Sequence, residues 1–120
     1  TGNATDFGNL SVARGELASC SSSTRGLFAG GTSSGGTVDV IDYITIASTG
    51  NATDFGNLLA TRRKFAGCSS STRGVFGGGD SSGNVIQYVT IDSTGNATDF
   101  GDLLGNTEQL GACSNAHGGL

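Results

Sequence analysis

Side chains able to do covalent or acid–base chemistry are scarce in this sequence, and the few present do not gather. Of 120 residues, ten are Asp or Glu, six are Lys or Arg, three are Cys and one is His. A Ser-His-Asp or Cys-His nucleophile needs a histidine held beside it as base, and the single His117 near the C-terminus cannot build one. Two carboxylates flanking a scissile bond have no convincing position in any repeat. The sequence therefore predicts a protein that is not an enzyme and carries no cofactor. Cys20, Cys68 and Cys113 are spaced by 48 and 45 residues. A disulfide framework wants an even count and a metal site wants clustered ligands, so no metal site is expected. Thiols at equivalent places in successive repeats read instead as small buried side chains.

Polar loops are the next candidates. Asp80, Ser81, Ser82, Gly83 and Asn84, or Asn51, Thr53 and Asp54, could offer oxygens to Ca²⁺, but that ion takes about six to eight of them. Asp and Asn in such places read more simply as turn formers that bond their own backbone. The Asn-Ala-Thr sequons at Asn3, Asn51 and Asn96 are one coincidence repeated, and glycosylation needs a secretory compartment. Asp6-Phe7-Gly8 and its copies spell the metal-binding tripeptide of protein kinases, without the nucleotide loop, lysine or catalytic base that a kinase needs. GVFGGGDSSG lacks the lysine and the helix of a phosphate loop. Arg25 and Arg73, at equivalent turns beside Ser and Thr, could form a ring for an anion or a carbohydrate. The plainer reading is an arginine that is solvated or paired between units, for instance with Asp54 or Asp99.

These residues recur because the chain repeats. TGNATDFG occupies residues 1–8, 49–56 and 94–101, and self-similarity at such a period marks a repeat architecture. The alignment superposes Arg14 on Arg62, Leu17 on Phe65 and Leu110, and Leu27 on Val75 and Leu120. Twenty-two Gly, no Pro and 13% charged residues suit short strands and turns better than helices, where each Gly costs about 1 kcal/mol relative to Ala. Each unit divides into four pieces. Residues 3–10 and copies form the first. The small-residue run 17–22, suited to a place where backbones crowd together, forms the second. Residues 26–31 (GLFAGG) form the third, ending in glycines that admit positive φ. Residues 38–46 (VDVIDYITI) form the fourth, apolar on both faces as in a sheet covered on both sides. The loop between third and fourth pieces varies in length, which marks a surface loop. Ser33 and Ser34, with Asp80, Ser81 and Ser82, are thus the first candidates for recognition.

The order Arg62, GVFGGG, Tyr88, Phe100, and before it Arg14, Gly30-Gly31, Tyr43, Phe55, resembles a kelch repeat, with Phe in place of the usual Trp and Thr107 where the third Arg would stand. The resemblance implies an all-β chain of four-stranded propeller blades forming an incomplete ring. Residues 1–10 would be the outer strand of a preceding blade, 11–58 and 59–103 two blades, and 104–120 the start of a further one. Phe7, Phe55, Phe100, Tyr43 and Tyr88, with the three Cys, would be structural. A β-solenoid or stacked-sheet fibre is the alternative. The start in mid-repeat and the lack of Met suggest a piece of a longer array.

Strings such as DYITIASTGNATDFG and CSSSTRGVFGGG also resemble repeats of tail or fibre-associated proteins of cyanobacterial phages and related marine viruses. This implies a virion or extracellular setting and a structural or recognition module that binds a host-surface glycan or another virion protein through its loops. Identical chains are the other expected partner, and a self-assembling filament subunit without a specific ligand is the rival function. A net charge of −4 with no basic run excludes a phosphate-neutralising surface and hence nucleic acid. No apolar run reaches the length of about 18 residues needed for membrane insertion by a helix.

Overall fold

The computed structural model describes residues 2–80 and 83–114. Ser81, Ser82 and His117 lie outside the described residues. The chain is all-β, with no helix among the described residues and so none long and apolar enough to cross a membrane. In chain order the strands are β1 (Ala18–Ser21), β2 (Arg25–Ala29), the short β3 (Thr32–Ser33) and β4 (Gly36–Thr37), β5 (Val40–Thr45), β6 (Thr53–Asn57), β7 (Ala66–Ser69), β8 (Arg73–Gly77), β9 (Val85–Thr90) and β10 (Thr98–Asp102). One antiparallel sheet runs β1-β2-β5-β6, a second runs β7-β8-β9-β10, and β3-β4 is a separate hairpin. Both large sheets are meanders, the order that results when each strand turns back on the one before it.

The two sheets have the same register. Cys20 lies opposite Leu27 and Leu27 opposite Tyr43; in the second sheet Cys68 lies opposite Val75 and Val75 opposite Tyr88. Because side chains alternate between faces, Leu27, Ala29, Ile41 and Phe55 of the first sheet share one core with Phe76, Val89, Ile91 and Ala97 associated with the second. Leu27, Ile41 and Phe76 are fully buried, each contributing about 1.5–3 kcal/mol of transfer free energy. Phe65 adds an edge-on contact to Phe76, ring centroids 6.0 Å apart.

The small-residue strands β1 and β7 meet where the two sheets come together. Ser69 Oγ donates to the Ser21 carbonyl at 2.7 Å and accepts from the Ser21 N–H at 3.3 Å. A Cβ on Gly67 would fall 2.7 Å from the Ser19 carbonyl oxygen, and one on Gly74 would fall 2.6 Å from Cys20 Sγ. The sequences ASCS and AGCS are therefore dictated by backbone approach.

The repeated octapeptide forms the seam between units. The Gly50 N–H donates to the Phe7 carbonyl and the Ala52 N–H to the Asn9 carbonyl, at 2.8 and 2.9 Å. The Asn9 N–H in turn donates to Asn51 Oδ1 at 3.0 Å. One unit further on, Gly95, Ala97 and Asn96 make the same three bonds to Phe55 and Asn57, at 2.8, 2.8 and 3.0 Å. Asn51 was expected to bond its own backbone in a turn; its side chain instead reaches 42 residues back along the chain. The Thr107 carbonyl accepts from the Gly79 N–H at 2.8 Å just as the Arg62 carbonyl accepts from Gly31 at 2.9 Å. Loss of the third arginine thus leaves this backbone link intact.

Two expected strands do not form. Residues 2–10 belong to no sheet, and residues 110–114 are not a strand. Within the two sheets each such segment is zipped to a neighbouring strand of its own unit. Among the described residues, neither residues 2–10 nor 110–114 have that neighbour.

Candidate recognition surface

The two sheets present loops at two opposite ends, and the expected site residues divide between them. At the first end, Arg25 and Arg73 open β2 and β8. Arg25 Nη1 donates to the Ile91 carbonyl of the other sheet at 2.9 Å, and its guanidinium lies 4.6 Å over the Tyr43 ring. Arg73 lies 4.4 Å over the Tyr88 ring. The expected partners Asp54 and Asp99 are replaced by ring faces, since a guanidinium stacks on an aromatic face as readily as it pairs. Tyr43 and Tyr88 then meet Phe55 and Phe100 edge-on, each at 6.0 Å. Arg25 is thereby held between units, while Arg73 remains exposed.

At the opposite end lie the β3-β4 hairpin, which carries Ser33 and Ser34, and the shorter equivalent loop, which carries Asp80. Ser33 is occupied in its own turn, its Oγ donating to the Gly36 carbonyl at 3.1 Å. The two loops are joined by residues that the sequence reading did not single out. Arg63 pairs with Asp80 at 2.5 Å and with Glu16 at 3.3 Å, and Thr32 Oγ1 donates to Glu16 at 3.3 Å. Lys64 pairs with Glu108 at 3.7 Å nearby. The Arg63–Glu16 pair is exposed, a class worth about 0–1 kcal/mol, whereas the Arg63–Asp80 bond is partly buried; together they orient the two loops. Glu16 and Lys64 both take positive φ, 57° and 55°. Their shared place in the repeat was the one available signal. Beside them a polar recess of about 320 Å³ is lined by Asp80, Asn106, Thr107 and Glu108 with Gly79 and Gly83. Two carboxylates, an amide and a hydroxyl around a recess of this size suit a ligand rich in hydroxyl groups.

Beneath the surface the two units use different chemistry at one position. Arg14 Nη1 pairs with Asp42 at 3.0 Å with both side chains fully buried, and Asp42 also accepts from Ser11 Oγ at 2.7 Å and from the Ser11 N–H at 3.0 Å. In the second unit Gln87 stands where Asp42 does. Gln87 Oε1 accepts from the Leu59 N–H at 2.8 Å. Arg62, fully buried, donates Nη1 to the Gly78 carbonyl at 2.7 Å. Burial without a carboxylate pushes the Arg62 guanidinium below its ordinary range. Among the described residues Arg62 Nε and Nη2 and Gln87 Nε2 have no acceptor, and neither has Arg14 Nε.

The three thiols converge on a recess of about 510 Å³ between the small-residue segments, lined also by Ser19, Ser21, Ser69 and Ser114. All three are free, and none is buried as expected: Cys20 and Cys68 are half-buried and Cys113 is exposed, because the backbones crowd closer than the recess between them closes; among the described residues no group of three metal-ligating side chains forms a metal site. Burial, with the neighbouring Cys68 second, pushes the Cys20 thiol from 9.0 up to about 12. At pH 8 Cys20 should therefore resist iodoacetamide while the exposed Cys113 reacts, because only the thiolate is nucleophilic. Peptide mass mapping that found Cys20 alkylated first would contradict this burial. The linkage sign is fixed too. The unfolded thiol ionises near 9 and the folded one near 12, so this group leaves stability unchanged below pH 9 and lowers it as pH rises between the two values.

Comparison of the chain with protein-family models and with curated proteins finds no match.

Proposed function

We propose that the two sheets are adjacent blades of a kelch-like β-propeller, and that the protein is a non-enzymatic structural and recognition module of a phage tail or fibre. Its ligand is a host-surface glycan or another virion protein, met through the loops that carry Ser33, Ser34 and Asp80. The observation that carries this reading is the relation between the sheets. Two four-stranded meanders of the same register share one buried core, their first strands β1 and β7 are adjacent, and one clamp recurs at each seam. Rotation of one unit onto the next about an axis near the small-residue strands is how propeller blades are arranged. The polar recess around Asp80 and Glu108 supports a hydroxylated ligand, and the resemblance to phage repeats supplies the setting.

Two measurements test the reading. Negative-stain electron microscopy should show compact particles of fixed size; unlimited fibres would favour the filament alternative. A glycan array should give hits that Asp80→Ala weakens roughly ten- to a hundredfold, the range for one lost hydrogen bond to a charged group. An array without hits, from intact particles, would sink carbohydrate binding and leave a virion protein as the ligand.

A further inference from the structure

Beneath the loops the two units share one frame and differ in its charge. Arg14 follows Ser11 by three residues as Arg62 follows Leu59, and Asp42 stands opposite Phe28 as Gln87 stands opposite Phe76. In the first unit a carboxylate closes the frame, since Ser11 and Arg14 both donate to Asp42. In the second the Leu59 N–H donates to Gln87 Oε1 at 2.8 Å, which fixes the way round that the amide stands. Gln87 Nε2 is thereby turned away from Leu59, and among the described residues it has no acceptor; neither have Arg62 Nε and Nη2. Arg62 Nη1 reaches only the neutral carbonyls of Gly78 and Val85. Arg62 and Gln87 are both 0% exposed, so bulk water does not reach these donors. Nε is without a partner on Arg14 too. What sets the second unit apart is a buried guanidinium with no carboxylate and, in the same frame, an amide donor with no acceptor.

We propose that Arg62 and Gln87 Nε2 bind a small monovalent anion, chloride, in the role that the Asp42 carboxylate plays in the first unit. The unpartnered groups are all donors, and one of them carries charge. A buried water accepts some of these bonds but needs acceptors for its own two protons. The one buried acceptor without a partner among the described residues is Asp80 Oδ1, on the carboxylate that Arg63 holds at the loop. A halide accepts from every donor that faces it and brings the opposite charge that a buried guanidinium requires. Full enclosure of both side chains admits an ion of atomic size and turns away phosphate or an organic acid. The site bears on the joint between units, because the Arg62 N–H donates to the Val38 carbonyl at 3.3 Å and its carbonyl accepts from the Gly31 N–H at 2.9 Å. The inference is independent of the propeller and glycan readings.

The probe is chloride itself. The full chain is unfolded with urea at constant ionic strength while sodium chloride replaces sodium gluconate, whose anion is too large to enter. Above the dissociation constant the folding equilibrium constant should rise about tenfold for each tenfold rise in chloride, as one-site linkage requires. Gln87→Glu, which places a carboxylate where Asp42 stands in the first unit, should fold equally well in the two salts. That comparison also removes any general effect of the salts on folding. Bromide should replace chloride, and crystals grown in bromide should show anomalous scattering beside Arg62 Nη2 and Gln87 Nε2, a readout that needs no variant to fold. Equal stability of the unaltered chain in the two salts would mean that water alone serves these donors. A chloride effect that survives Gln87→Glu, or bromide found only at the surface, would place the ion elsewhere. Each of these three results would overturn the proposal.

Discussion

Asp42→Ala is expected to cost about 3–5 kcal/mol of folding stability, the range for removing one partner of a buried ion pair. The figure exceeds the sum of lost contacts because Arg14 stays behind, with its side chain 0% exposed. Its remaining acceptors are the Phe28 carbonyl at 3.1 Å and the Val12 carbonyl at 3.4 Å. The two Ser11 donors also lose their acceptor. By contrast Glu16→Ala, at an exposed pair with Arg63, should cost no more than about 1 kcal/mol. The second unit supplies the reverse experiment. Gln87→Glu keeps the acceptor for the Leu59 N–H and adds a carboxylate at the position equivalent to Asp42, so it should stabilise the protein by roughly 1–3 kcal/mol. Urea denaturation of the three variants decides the matter. A cost for Asp42→Ala as small as that for Glu16→Ala would mean that the Arg14 site is hydrated.

Gly56→Ala is expected to be about as damaging, at roughly 2–5 kcal/mol, by a different route. Gly56 has φ near +148°, in the region that glycine alone enters freely, and forcing a side chain there costs on the order of 1–3 kcal/mol. A Cβ would also overlap the Gly95 carbonyl, and a backbone group cannot swing aside as a side chain can, which adds about 1–3 kcal/mol of overpacking. The displaced atoms belong to the clamp, so the bonds from Gly95, Ala97 and Asn96 to the first unit loosen together. Unfolding should become biphasic as the two sheets lose cooperativity. Gly101→Ala is the control: its φ of +144° is similar, yet nothing stands within 4 Å of the added atom. It should show the conformational cost alone. Equal losses at the two glycines would argue that the seam contributes nothing.

The octapeptide illustrates how far the sequence could be read. Its recurrence dictates the strand pattern, since each unit has the same order of small-residue run, glycine-terminated strand and apolar strand, and each of these is a local preference. The close approach of β1 and β7 was legible in the same way, because only crowding explains a strand of Ala, Ser, Gly and Cys. Asn51 was not legible, because an asparagine side chain bonds its own turn or a distant amide with equal chemical ease. Only the docking of one unit on the next brings the Asn9 N–H within 3.0 Å. The guanidinium of Arg25 poses the same ambiguity between a carboxylate and a ring face, and the fold resolved it by placing Tyr43 and the Ile91 carbonyl within reach.

By itself, then, the sequence determined what depends on neighbours along the chain: the repeat, the all-β character, the places where strands end and the poverty of catalytic groups. The tertiary structure alone decided what depends on register between units. It set the buried pair Arg14–Asp42 against Arg62, which has no carboxylate among the described residues, and joined Glu16, Arg63 and Asp80 across two loops. Those outcomes follow from contacts between residues 17 to 47 apart, whose energies no local preference encodes.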